Sequence, residues 1–120
     1  MIHKELTEKI LEAAFEVSNE LGSGFLESVY EKALTLSLKE KGLKAESQVP
    51  LKVMFRGISV GDFFADLLIE DVIIVELKAV KKLAPEHQAQ LINYLKATSI
   101  HVGLLLNFGN PKLEYRRLHG

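Results

Sequence analysis

The stretch VIIVELKAV, residues 72–80, is apolar on both faces except at Glu76 and Lys78. A run of this kind reads as a strand covered on both sides, the central position of a sheet flanked by helices. Because side chains alternate along a strand, Glu76 and Lys78 share one face with Ile74. Upstream, VPLKVMF (49–55) and ISVGDFFADLLI (58–69) are separated by Arg56-Gly57, and Glu70-Asp71 separates the second from residues 72–80. Three antiparallel strands are predicted, the first beginning near Gln48. Downstream, Pro85 suits the first turn of a helix running to about Thr98. HVGLLLNF (101–108) and KLEYRRL (112–118) then read as two strands divided by Gly109-Asn110-Pro111.

The N-terminal third has a different period. Leu6, Ile10, Ala13, Ala14, Val17 and Leu21 recur every three or four residues with Lys and Glu between them, predicting an amphipathic helix over about 3–21. LGSG at 21–24 breaks the pattern, and Ser23 or Gly24 is the expected cap of a second helix carrying Leu26, Val29, Tyr30, Ala33, Leu34 and Leu38. Gly42 is placed to end it. The element order is ααβββαββ. A meander followed by a helical crossover implies an α/β fold with a mixed β-sheet flanked by helices.

The chain has 120 residues, 48% hydrophobic and 26% charged, and residues 1–120 are expected to form a single domain. It contains no cysteine, which excludes thiolate zinc sites, iron–sulfur clusters and cysteine nucleophiles. With no disulfide framework, no signal-peptide pattern and no membrane helix, a cytoplasmic location is expected. The net charge of −1 gives no global attraction to polyanions, so nucleic-acid binding would depend on local basic patches.

Turning the chain near Asp71 sets Asp66 almost opposite Glu76. Two facing carboxylates on a covered sheet are costly unless something cationic lies between them. Lys78 supplies one charge. A divalent ion supplies more, and an all-oxygen donor set favours Mg²⁺ or Mn²⁺ over zinc. By itself a carboxylate-x-lysine on a strand is commonly a structural salt bridge. Further polar residues accompany it: Glu27 and Tyr30 at the start of the second helix, and His87, Gln90 and Tyr94 on one stripe of the third. Read singly, these are a helix-dipole charge and an amphipathic surface with a snorkelling tyrosine.

Taken together, GSGFLESVY, the spacing Asp66-x9-Glu76-x-Lys78, HQAQLINYLK and LLLNFG resemble the GxxExxY proteins. These are a compact branch of the PD-(D/E)xK nuclease-like superfamily, and the resemblance extends over nearly the whole chain. It implies a restriction-endonuclease-like core and a divalent-metal-dependent nuclease acting on DNA or RNA. It implies roles as well: Asp66, Glu76 and Glu27 as metal ligands, Asp66 and Glu76 with Lys78 as the catalytic set, and Gln90 and Tyr94 as supports of site and substrate phosphate. His87 and Tyr30 are expected beside them. Ala65 stands where the superfamily's name has proline. Lys81 and Lys82, following the central strand, are weaker candidates for positioning phosphate. A second expectation is a module that binds nucleic acid or protein without turnover, and a homo-oligomer or a larger protein partner is compatible with the small size.

Overall fold

Ile10, Ala13, Ala14 and Val17 bury one stripe of the first helix, together with Thr7 and Ser18. The computed structural model describes residues 1–120. In chain order it contains α1 (Lys4–Leu21), α2 (Glu27–Glu40), β1 (Ala45–Phe55), β2 (Ile58–Ile69), β3 (Ile73–Lys78), α3 (Pro85–Ala97), β4 (Val102–Asn107) and β5 (Glu114–His119). The expected order holds throughout, with boundaries within a few residues. β1 begins three residues ahead of Gln48.

The sheet runs β1-β2-β3-β4-β5, with β3 at its centre. β3 and β4 are parallel, joined over the sheet by α3, and every other neighbouring pair is antiparallel. Leu67, Ile69, Ile73, Val75, Leu77, Leu104 and Leu106 form the larger core with α1 and α2. Ile74, Leu68 and Leu105 form a smaller core with Leu91 and Leu95 of α3. Burying each such side chain contributes about 1.5–3 kcal/mol, so both faces of β3 are committed to the interior. Gly103 lies beside Ile74 in register, where a Cβ would press on Leu91 at 3.0 Å, and its bareness lets α3 settle on the sheet.

The link between α1 and α2 differs from expectation. Leu26, not Ser23 or Gly24, is the N-cap of α2, and no side chain caps it. Residues 22–25 are fastened instead by Tyr30, which is fully buried and stacks on Phe108 with ring centroids 4.8 Å apart. Its hydroxyl donates to the Gly22 carbonyl at 2.6 Å and accepts from the Phe25 amide at 3.2 Å.

One irregularity shapes the rest of the molecule. Ser47 pairs with Leu67 and Val49 with Ala65, while Gln48 and Asp66 between them are skipped, and Gln48 has φ +52°. Leu67 belongs to the larger core and Ala65 to the smaller, although two residues on one strand ordinarily share a face. The β1–β2 ribbon therefore turns over at Gln48 and Asp66. β2 also parts from β3 here, because their pairing ends at Leu67 and Val75. Beyond this point β1 and β2 continue as a two-stranded arm, which contributes to principal extents of 46 × 30 × 25 Å.

Candidate functional site

The parting of β2 from β3 leaves backbone groups on β3 without a ladder partner, and a side chain answers for one of them. The Leu77 amide donates to Asp66 Oδ2 at 2.8 Å. Asp66 is thereby fixed across the notch from Glu76, as the register about residue 71 predicts. Ile69 pairs with Ile73, Leu68 with Ile74 and Leu67 with Val75, so the next step of the series brings Asp66 opposite Glu76.

Glu76 is 8% exposed, and its Oε1 is buried with no hydrogen-bond partner. Its carboxyl lies against that of Asp66. Burial first, then the Asp66 carboxyl, pushes its pKa from the ordinary 4.5 up to about 9; nearby Lys78 pulls weakly the other way. Lys78 forms no salt bridge. The sequence left open a structural ion pair between this lysine and either carboxylate. In the folded chain two carboxyls share a confined space and the ammonium stands apart from both.

Tyr94 of α3 completes the wall on the Glu76 side. Its phenol is held above its ordinary pKa, mainly by burial and then by the charges of Glu76 and Asp66, while the adjoining Gln90 side chain opposes the shift. The hydroxyl thus remains a proton donor. Behind it the Tyr94 ring stacks on Phe63 of the arm at 3.6 Å and 10°.

Glu27 lies across the ribbon from this wall. It opens α2 and lines a cavity of about 210 Å³ with Ser28, Glu31, Gln48, Asp66 and Leu77. No group of three or more His, Asp or Glu side chains is assembled closely enough to hold a metal. Gln48 stands between the carboxylates on this side: its Nε2 donates to Glu31 Oε1 at 2.7 Å and reaches Asp66 Oδ1 at 3.4 Å. Glu31 and Gln48 are additions to the expected set. Glu31 falls one helical turn after Glu27, a spacing legible in sequence; the left-handed backbone at Gln48 is not.

Two residues expected near a substrate are engaged elsewhere. Tyr30 uses its hydroxyl to fasten the α1–α2 link, as described above. His87 Nδ1 accepts from the Ala84 amide at 3.0 Å while its own amide donates to the Ala84 carbonyl at 3.0 Å, a reciprocal cap at the start of α3. Lys81 and Lys82 are exposed on the β3–α3 loop; the Glu114 carboxyl is held below its ordinary pKa mainly by its hydrogen bond from Asn107, with the Lys82 charge the smallest contribution.

That loop is tied down by β4 and the turn after it. Fully buried Asn107 accepts from the Val80 amide at 3.0 Å and donates to the Val80 carbonyl at 2.9 Å and to Glu114 Oε1 at 3.0 Å. Phe108 donates its amide to the Lys78 carbonyl at 2.8 Å, and Asn110 Nδ2 donates to that of Lys81 at 2.8 Å. At Gly109 any Cβ would fall 2.0 Å from the Val80 oxygen, so only glycine permits this approach.

A mixed sheet flanked by helices, with an acidic pair and a lysine on its central strands, has the restriction-endonuclease-like architecture. The chain belongs to the PD-(D/E)XK nuclease superfamily, whose family profile matches residues 4–118. No curated protein matches it. Among solved structures, the crystal structure of SSO0001 is similar, with a TM-score of 0.56 and 22% identity over 98% of this chain and 58% of that one. The present chain thus spans under two thirds of that protein's length, and the likeness is one of fold.

Proposed function

We propose that the protein is a divalent-metal-dependent nuclease that hydrolyses phosphodiesters of DNA or RNA at the notch between β2 and β3. The observation carrying this reading is the buried Glu76 carboxyl, with one oxygen unpartnered, pressed against Asp66 while Lys78 nearby has no ion-pair partner. An all-oxygen donor set of this kind suits a hard cation such as Mg²⁺ or Mn²⁺. Nucleases of this superfamily generally use divalent metal ions. Asp66 and Glu76 are the proposed ligands, and Glu27, on the same cavity as Asp66, is the proposed third.

A cation held there supplies Lewis acidity at a scissile phosphate. The protein's own groups supply the rest. The Leu77 amide fixes Asp66, and the α3 wall keeps water away from Glu76. The Lys78 ammonium orients the attacking water and offsets the negative charge that grows on the phosphoryl oxygens. The Tyr94 hydroxyl, kept protonated, is a further donor to phosphate, with Gln90 steadying it. Lys81 and Lys82 offer weaker, sequence-independent attraction to the backbone of the nucleic acid.

Incubation of labelled single-stranded, duplex and branched DNA and RNA with Mn²⁺ tests the assignment. Wild type should cleave at least one substrate and Asp66→Ala none; equal behaviour of the two on every substrate would falsify it. A second reading, a binding module without turnover, draws support from the carboxylates not forming a three-ligand group. Under that reading nucleic acid is bound without metal, binding survives Lys78→Ala, and it weakens when Lys81 or Lys82 is replaced.

A further inference from the structure

A cleft of about 210 Å³ opens between α1 and α2, and it shares no residue with the cavity at the notch. Its apolar lining is Val17, Leu21, Ala33 and Leu36. Two of these stand in solvent, Leu21 37% exposed and Leu36 61%. The rest of the lining is the Ser37 hydroxyl and three carboxylates, Glu16, Glu20 and Glu40, with no lysine or arginine among them.

We propose that this cleft docks a basic amphipathic helix of a protein partner, which seats a large apolar side chain against Leu21 and Leu36 and sets Lys or Arg against Glu20 and Glu40. The first argument is charge. Glu8, Glu12, Glu16 and Glu20 follow one another at four-residue spacing on α1, where like charges repel. Lys41 answers two of them, at 3.1 Å from Glu12 and 2.9 Å from Glu16, so this edge already seats one ammonium between carboxylates a helical turn apart. Glu20 and Glu40 form no salt bridge.

The second argument is placement. Glu20 lies in the last turn of α1, which holds no basic residue, and Glu40 is the last residue of α2. At both positions a carboxylate meets the negative end of its own helix, where a cation is the stabilising choice. Two carboxylates set against local stability on the rim of one apolar cleft are the mark of a surface kept for a cationic partner. The third argument is the fit of the occupant. A nucleic-acid strand suits the cleft poorly, because the rim repels phosphate and the lining has no aromatic ring for a base to stack on. A small cation would leave Leu21 and Leu36 in water. An amphipathic helix laid in the groove engages the apolar lining and the acidic rim together.

Fluorescence anisotropy with a labelled amphipathic helical peptide of leucine and lysine tests the proposal on the full chain, and it does not depend on catalysis. Micromolar binding is expected, and the counterpart peptide with glutamate for lysine should not bind. The double variant Glu20→Lys, Glu40→Lys and the single variant Leu36→Ser should each weaken binding by about tenfold or more. The pair Asp62→Lys, Glu86→Lys makes the same change in net charge at exposed positions away from the cleft and should leave the dissociation constant within about twofold, because distant surface charges are screened. Placing lysines at the two helix ends should also raise the thermal midpoint of the unbound chain, which separates lost docking from lost folding. Absence of peptide binding, equal weakening by the Asp62 and Glu86 pair, indifference to Leu36→Ser, or a thermal midpoint lowered by Glu20→Lys, Glu40→Lys overturns the proposal. So does displacement of the peptide by a single-stranded oligonucleotide, or a dimer in sedimentation velocity that the cleft substitutions dissolve.

Discussion

Glu76 forms no salt bridge within the fold and is buried against Asp66, and its protonation is therefore linked to stability. Its carboxyl pKa is ordinary in the unfolded chain and is pushed up to about 9 in the folded one. Between about 4.5 and 9 the folded state binds more protons than the unfolded state, so proton uptake stabilises fully below that window and not at all above it. In chelator, the thermal midpoint is expected to fall as pH rises from 5 to 9. Glu76→Gln should flatten this slope and raise the midpoint at pH 8 by a few degrees, equivalent to about 1 kcal/mol. A thermal unfolding series in chelator checks both, and a wild-type midpoint that rises over this range would contradict the linkage. Lys78 separates binding from chemistry. Lys78→Ala should lower the cleavage rate about 10²–10³-fold while Mn²⁺ affinity by calorimetry stays within a few-fold of wild type. At this scale Asp66, Glu76 and Lys78 were legible because a buried-reading strand with two charges is conspicuous. His87 and Tyr30 were identified as polar, but their hydrogen-bond partners lie at turns whose geometry periodicity does not describe.

Elements are positioned by a few polar fasteners that helix and strand patterns leave out. Tyr30→Phe keeps the stack on Phe108 and deletes the bonds to Gly22 and Phe25, so it should cost about 1–2 kcal/mol in urea denaturation and leave Mn²⁺ affinity unchanged. Asn107→Ala should cost more, about 2–4 kcal/mol, because the fully buried amide of Asn107 is removed and the half-buried Val80 amide and carbonyl lose their partner together. Asn110→Ala, at an exposed bond to Lys81, serves as the comparison and should cost well under 1 kcal/mol. The helices and strands themselves were readable from period alone. The α2 start was not, since Ser23 and Gly24 look like caps while the buried tyrosine four residues into the helix does the fastening.

Across the whole molecule, metal binding and folding should be coupled through the notch. If Asp66 and Glu76 hold a cation in the folded state alone, excess Mn²⁺ at a hundred times its dissociation constant stabilises by about 2.7 kcal/mol. The thermal midpoint of wild type should rise accordingly, and that of Asp66→Ala should not move. No helix is long and apolar enough to cross a membrane. The sequence by itself determined the order of elements, the central strand, the mixed sheet and the facing of Asp66 and Glu76, because each follows from side-chain period and from a turn centred near residue 71. Only the tertiary structure decided that the β1–β2 ribbon turns over at Gln48 and Asp66. That reversal places Gln48 between Glu31 and Asp66, leaves Glu27 on the cavity without a three-carboxylate group, and sends an apolar arm beyond the sheet. The physical reason is that period is set by each residue's own backbone geometry. Convergence depends on how strands part and twist, which a left-handed residue such as Gln48 changes without disturbing the pattern on either side.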